Sequence, residues 1–352
     1  MYNSPEYMNI KTLLTLSIVL LIIPAAYGQT DSSRSFHLSA YAEAYFSVDS
    51  KKIGFDRLPY YYYSHTTLSK PDINLAYVKA TYAVERWRTN LAVAAGSYAK
   101  ENIGRYVDLF EANAGLKLSS KHNLWLDAGV FPSHIGFESA VSADCPTLSR
   151  SIMAENSPYY ESGAKLTWND ERWLVSLLYL NGWQNFKEWQ TPAVGLQLNY
   201  KINSATVINY SNFIGLGEFN VIKRNYHDLY MTYSPARGLN LTAGLDIGID
   251  QSRHINGGIW WTPVLIARLP VGNKNSFALR GEYIHDPNNE VLRYIYIIGI
   301  PPASLSSFSF NYDRKLFGKI WFRTEIKKLS GKDTHNDSNR WIFLSSLAVK
   351  LD

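Results

Sequence analysis

The residues of this chain that could do chemistry are ionisable groups spread along many short segments, with no compact catalytic set among them. Lys79, Arg88, Lys117, Lys165, Arg280 and Arg323 share a polar face with Glu43, Glu111, Asp127, Glu161, Asp246, Glu282 and Glu325. Charges of both signs along one water-facing wall can control the passage of ions and polar solutes. Each of them taken alone is a solvated wall residue. As a mixed set they argue against a strongly ion-selective pore and set up a transverse field suited to small polar solutes. A second group, Glu138, Asp144, Arg150 and Glu155, falls within one long polar link, residues 134–158. The eight His are scattered, with no HExxH, no nucleophile elbow and no P-loop. His285-Asp286, ahead of Pro287, reads as a solvated strand end, and Gly215-Leu216-Gly217 lacks both the third Gly and the following helix of a dinucleotide fingerprint. The single Cys, Cys145, has no partner for an intramolecular disulfide and reads as an incidental loop residue. No catalysis, cofactor or metal is expected.

The elements that must position these charges are strands. Phe36, Leu38, Ala40, Ala42, Ala44 and Phe46 alternate with His37, Ser39 and Glu43, a period-two pattern with one face for lipid and one for water. The clearest example sets Leu239, Leu241, Ala243, Leu245 and Ile247 against Asn240, Thr242, Gly244, Asp246 and Gly248. Trp173 to Leu180 is apolar on both faces and least clear, and Leu292 to Ile300, also apolar throughout, is assigned to a long outer link. Short turns such as Glu85-Arg86, Asn169-Asp170-Glu171 and Gly272-Asn273-Lys274-Asn275 alternate with long links around Asp49 to Pro71, His134 to Pro158 and Asp286 to Ala303. That asymmetry is the one outer-membrane barrels show, and counting yields about sixteen strands. The expected fold is therefore all-β, a transmembrane antiparallel barrel.

Composition agrees. With 46% hydrophobic, 18% charged and one Cys, the chain is neither disordered nor a disulfide scaffold. A helical membrane protein needs several apolar runs of about 20 residues, and only the N-terminal run comes close. The mean hydropathy of -0.19 is polar, because two faces of opposite character cancel in it. Aromatics make up 14%, and strand-end positions such as Tyr82, Trp87, Trp168, Trp173 and Trp341 suit interfacial girdles. Lys11, the apolar stretch Leu13 to Ile23 and Ala26-Tyr27-Gly28 read as an export signal cleaved after residue 28, with Met8 an alternative start. Residues 29–352 would then form the barrel. The net charge of +5 is dispersed, unlike the concentrated basic face of a nucleic-acid binder.

The stretch from Asp127 to Gly163 is the most specific. It contains Phe131-Pro132-Ser133-His134-Ile135-Gly136-Phe137-Glu138, Ser149-Arg150-Ser151 and Ser157-Pro158-Tyr159-Tyr160-Glu161-Ser162-Gly163, followed by Asn181-Gly182-Trp183. In this it resembles the porin-2, OmpL-like family of outer-membrane porins, found mainly in Bacteroidetes. The resemblance implies a 16-stranded barrel acting as a passive diffusion channel, with outer-membrane lipid and small hydrophilic solutes as partners and a homotrimer by analogy with general porins. The C-terminus departs from the usual pattern, ending Leu351-Asp352 where many outer-membrane proteins end in an aromatic residue. In general porins the link after the fifth strand folds inward, so residues 134–158 are either a constriction loop or an outer loop packed on its neighbours. Tyr60-Tyr61-Tyr62-Tyr63 is either part of an aromatic slide, loop packing or a subunit contact. Three functions stay open: a diffusion porin, a channel selective for an anion, organic acid or sugar, and a plugged barrel serving as adhesin, receptor or outer-membrane hydrolase.

Overall fold

The computed structural model describes residues 35–51, 56–105, 107–217, 222–252, 258–292, 303–332 and 339–351. The expected export segment lies outside the described residues, as does most of 292–300. Sixteen strands follow in chain order: β1 (Ser35–Asp49), β2 (Asp72–Ala83), β3 (Trp87–Ala95), β4 (Val107–Lys117), β5 (Asn123–Pro132), β6 (Tyr160–Asn169), β7 (Trp173–Leu180) and β8 (Ala193–Lys201) form the first half. β9 (Thr206–Leu216), β10 (Ile222–Tyr233), β11 (Asn240–Ser252), β12 (Ile259–Val271), β13 (Asn275–Asp286), β14 (Ala303–Lys315), β15 (Ile320–Lys332) and β16 (Arg340–Leu351) complete it. Each strand pairs antiparallel with its chain neighbours, and β1 closes on β16, with Glu43 opposite Ala348. The fold is thus the closed antiparallel barrel that the alternation predicts. No helix among the described residues is long and apolar enough to cross a membrane. A closed sheet satisfies every backbone group without an edge.

Alternation decides the two faces. In β1, Tyr41, Glu43, Tyr45, Ser47 and Asp49 point inward and are buried, while Ala42, Ala44, Phe46 and Val48 point outward and are exposed. The outer surface carries Leu177, Leu265, Phe308, Phe310 and Phe343. Trp87, Trp173 and Trp341 sit exposed at strand ends. The ambiguous segment, β7, is apolar on both faces because Leu178 and Leu180 on its inner face pack with Phe131, Trp183, Phe213 and Trp260.

Close approach of strands is achieved with glycine at one paired position. Gly129 (φ +124°) faces Gly163 (φ +147°) across β5 and β6, and a Cβ on either would lie within 2.2 Å of a backbone oxygen of the strand on its other side, Ala112 O of β4 or Tyr179 O of β7. Tight turns close one end of the barrel, and longer links the other. One of the longer links holds a helix that the alternation does not anticipate, α1 (Ser97–Ile103), ended by Gly104 in the left-handed conformation. Another, between β5 and β6, carries a single helical turn, α2 (Ile152–Glu155), whose N-cap Ser151 accepts from the Ala154 N–H.

Candidate functional site

The inner wall and the β5–β6 link together form the site. From its first residues onward, the link is hydrogen-bonded to inward-facing side chains around the barrel. His134 Nε2 donates to Asn212 O of β9 at 2.8 Å, and the Gly136 N–H donates to Asp228 of β10 at 3.3 Å. Ser142 Oγ donates to Glu43 of β1 at 2.5 Å. Leu148 N donates to Asn311 of β14 at 2.9 Å, Ser149 N to Glu325 of β15 at 2.6 Å and Ile152 N to Glu282 of β13 at 2.6 Å. Wall cations bind the link's carbonyls in return. Arg280 donates to Ser149 O and to Thr147 Oγ1, both at 2.6 Å, Arg323 to Ser142 O and Cys145 O, and Lys327 to Arg150 O at 3.4 Å. Charge-assisted bonds of this kind are the strong ones.

The charged residues singled out from the sequence divide into two sets. Arg280, Glu282, Arg323 and Glu325 are buried between wall and link, with ion pairs Arg280–Glu282 (3.3 Å), Arg280–Glu325 (2.9 Å), Lys327–Glu282 (3.2 Å) and Arg323–Asp313 (2.7 Å). Glu161 is also buried, in register with Phe131. Lys79, Arg88, Lys117 and Lys165 point inward but keep partial exposure, and the carboxylates beside two of them, Glu111 and Asp127, are buried.

The charges within the link serve to tie it together. Glu155 accepts from the backbone N–H of Tyr63 (2.8 Å) and Ser64 (3.2 Å) and from Ser64 Oγ, joining the β1–β2 link to the β5–β6 link. Glu138 accepts from Ser151 N at 3.0 Å and from Ser151 Oγ, and burial raises its pKa above the ordinary carboxylate value despite those bonds. Arg150 donates Nε to Ser139 O at 2.7 Å, with its guanidinium between the rings of Tyr98 (4.7 Å) and Tyr159 (4.3 Å). Asp144 pairs with Lys350 at 2.7 Å.

Three sequence readings change. Asp286 is buried, not solvated, and accepts the N–H groups of Glu290, Val291 and Leu292 at 2.7–2.8 Å, so that it closes a turn. Its neighbour His285 lies against Trp261, 5.7 Å between ring centroids. Cys145 is a core residue of the link, its thiol pushed up to about 12 by burial. Of the tyrosine run, Tyr61 and Tyr62 pack with Leu148, Ile152 and the inner-wall residues Ile284, Leu305, Leu329, Ile342 and Leu344; loop packing holds, and no slide forms from these two rings. Sequence reasoning left three contributors out of the site. Lys327 sits two residues beyond Glu325 on the same face, a spacing that could have found it. Asp313 lies near the end of β14, where the alternation gives way to the three successive charged residues Asp313-Arg314-Lys315. Arg268, which pairs with Asp313 at 3.0 Å, stands in a largely apolar strand. It also lines a cavity of about 250 Å³ beneath the link, with Phe137, Asp144 and Thr242.

Solved structures with a similar fold include outer-membrane porins. Salmonella typhi OmpF in complex with daunomycin superposes with a TM-score of 0.64 at 9% identity, covering 92% of this chain and 99% of that one. The anion-selective porin from Comamonas acidovorans has a TM-score of 0.61 at 8% identity, covering 90% and 100%. The trimer form of in-vitro folded OmpT from Vibrio cholerae has 0.60 at 8%, covering 90% and 99%. At such identities the likeness is one of fold. No curated protein matches the chain in sequence. The family is settled by a sequence model that matches residues 35–349, nearly every residue of the barrel: the chain belongs to the family described as "Putative beta-barrel porin-2, OmpL-like".

Proposed function

We propose that this protein is an outer-membrane porin through which small hydrophilic solutes and ions diffuse, narrowed by residues 134–158 and working without catalysis or a cofactor. The observation that carries the reading is a closed sixteen-strand barrel whose outer face is apolar and whose inner face is lined with polar and charged side chains. The hydrogen bonds from the β5–β6 link to β1, β9, β10, β13, β14 and β15 support its role as the constriction. Export through a cleaved N-terminal signal fits this location. A homotrimer packed through β1–β6 fits the small outward residues there, Ala42, Ala76, Ala80, Ala114, Ala128 and Ala164. Reconstitution of refolded protein into a planar bilayer tests the channel reading, with stepwise open-channel currents expected. A second reading, a barrel plugged by its outer links and acting as a receptor, is favoured by the apolar packing of Tyr61, Tyr62, Leu148 and Ile152 inside the wall. Electrical silence of a correctly folded barrel would select it.

A further inference from the structure

In sequence the inner-wall charges of the two signs balance; in the fold they are sorted by exposure. Three ion pairs border the lumen water: Lys79–Glu111 at 2.5 Å, Arg88–Asp127 at 2.6 Å and Arg268–Asp313 at 3.0 Å. In each the cation is the exposed member, 28% against 6%, 36% against 6% and 27% against 2%. The carboxylates are held down by other donors or by bidentate contact. Glu111 accepts from Asn113 Nδ2 at 3.0 Å, Asp127 takes Nε and Nη2 of Arg88 at 2.8 and 2.6 Å, and Asp313 is bound by Asn311 at 2.8 Å and Arg323 at 2.7 Å. Lys117 and Lys165, inward on β4 and β6, have no ion pair among the described residues, and Lys165 Nζ sits 4.7 Å over the Phe131 ring. The β2–β6 wall therefore shows water four cations, while its carboxylates Glu111, Asp127 and Glu161 are buried and Asp108 is paired with the more exposed Lys187, 15% against 38%. On the opposite wall Arg280, Arg323 and Lys327 are taken up in holding the link, and Arg224 and Arg340 are buried against Asp250 and Asp49. Among the described residues only Lys350–Asp144 has the reverse order, 27% against 41%.

We infer that the lumen of this barrel prefers anions, small solutes bearing carboxylate or phosphate groups and chloride over potassium. The physical cause is placement: a fixed charge at the water boundary acts on a passing ion directly, while a carboxylate buried beneath its partner is masked by it. Low-dielectric walls focus the resulting field along the lumen. A mean potential of only about one kT per unit charge makes monovalent anions about sevenfold more concentrated than cations there. The aromatic partners add a flat surface on the same wall, with the Arg88 guanidinium 4.3 Å over the Trp125 ring, suited to anions that carry a planar group.

This inference rests on the channel reading, and reversal potentials across a potassium chloride gradient separate the two. The expected result for the intact protein is a chloride-to-potassium permeability ratio of several-fold at about 0.1 M salt. It should shrink toward one at about 1 M, where the Debye length falls from about 10 to about 3 Å. Lys117→Gln combined with Lys165→Gln, which leaves every ion pair of that wall in place, should lower the ratio at least about twofold with conductance retained. Currents that favour potassium, or show no preference, overturn the anion inference while the channel stands. So does a ratio unmoved by the double variant. If that variant does not fold, the salt dependence of the unaltered protein decides alone. A folded barrel with no current at all overturns the channel reading and the anion preference with it.

Discussion

Replacing Arg280 by alanine should release residues 134–158 from the wall while the barrel itself stays closed. Arg280 is buried and donates to Thr147 Oγ1 and Ser149 O at 2.6 Å, to Ser149 Oγ at 2.9 Å and to Glu325 at 2.9 Å, with Glu282 3.3 Å away. Its removal strips the link of three donated bonds and leaves two buried carboxylates short of positive charge. Breaking a buried ionic network by deleting one partner costs about 3–5 kcal/mol. If most of that falls on docking of the link, the docked-to-undocked ratio drops by roughly a thousandfold at about 4 kcal/mol. Cys145 is the only cysteine in the chain and is buried within the link, so its labelling by a maleimide reports undocking. In the intact protein the thiol is shielded and its pKa is raised to about 12 by burial, and labelling at neutral pH should be negligible. Under fast opening and closing, the labelling rate follows the open population, so Arg280→Ala should label far faster while its gel mobility still shifts on heating as a folded barrel does. Arg280→Met with Glu325→Gln removes charge on both sides and should recover part of the protection. Equal labelling rates in the intact protein and in folded Arg280→Ala would refute the assignment of Arg280 as the clasp.

Acid should loosen the start of the same link. His134 Nε2 donates to Asn212 O, and burial draws its pKa down to about 4 from 6.5. An undocked ring takes up a proton below pH 6.5 while the docked ring stays neutral, so docking is unaffected above that pH. It is lost progressively as pH falls toward 4, by up to about 3 kcal/mol. Single-channel recordings between pH 7.5 and 4 should show growing current fluctuations in the intact protein, and His134→Gln, which keeps a donor toward Asn212 O, should flatten that profile; an unchanged profile removes His134 as its source. In the β5–β6 wall, Gly129→Ala would place a Cβ 2.2 Å from Ala112 O in a left-handed conformation, adding strain of about 1–3 kcal/mol or more. The yield of folded barrel should fall sharply, whereas Gly281→Ala, where a Cβ meets nothing within 4 Å, should refold as the parent does.

The strand order and the inward or outward sense of most residues were legible in the sequence because successive side chains of a strand point to opposite faces. Glu43, Asp127, Lys165 and Glu325 are inward for that local reason alone. Alternation marks strands short where it runs into less distinctive residues, as in β1, legible from Phe36 to Phe46 and observed over Ser35–Asp49. Helix α1 escaped notice because seven residues offer too little periodicity to stand out. Tertiary structure alone decided what each inward charge does. Arg280 meets Ser149 across 131 residues of chain, and Lys79 meets Glu111 across 32; no local pattern encodes contacts made by closing a barrel and laying a link across it. The sequence determined a wall with both signs of charge. Burial of the carboxylates beneath their partners, a product of register between strands, determined which sign faces the water.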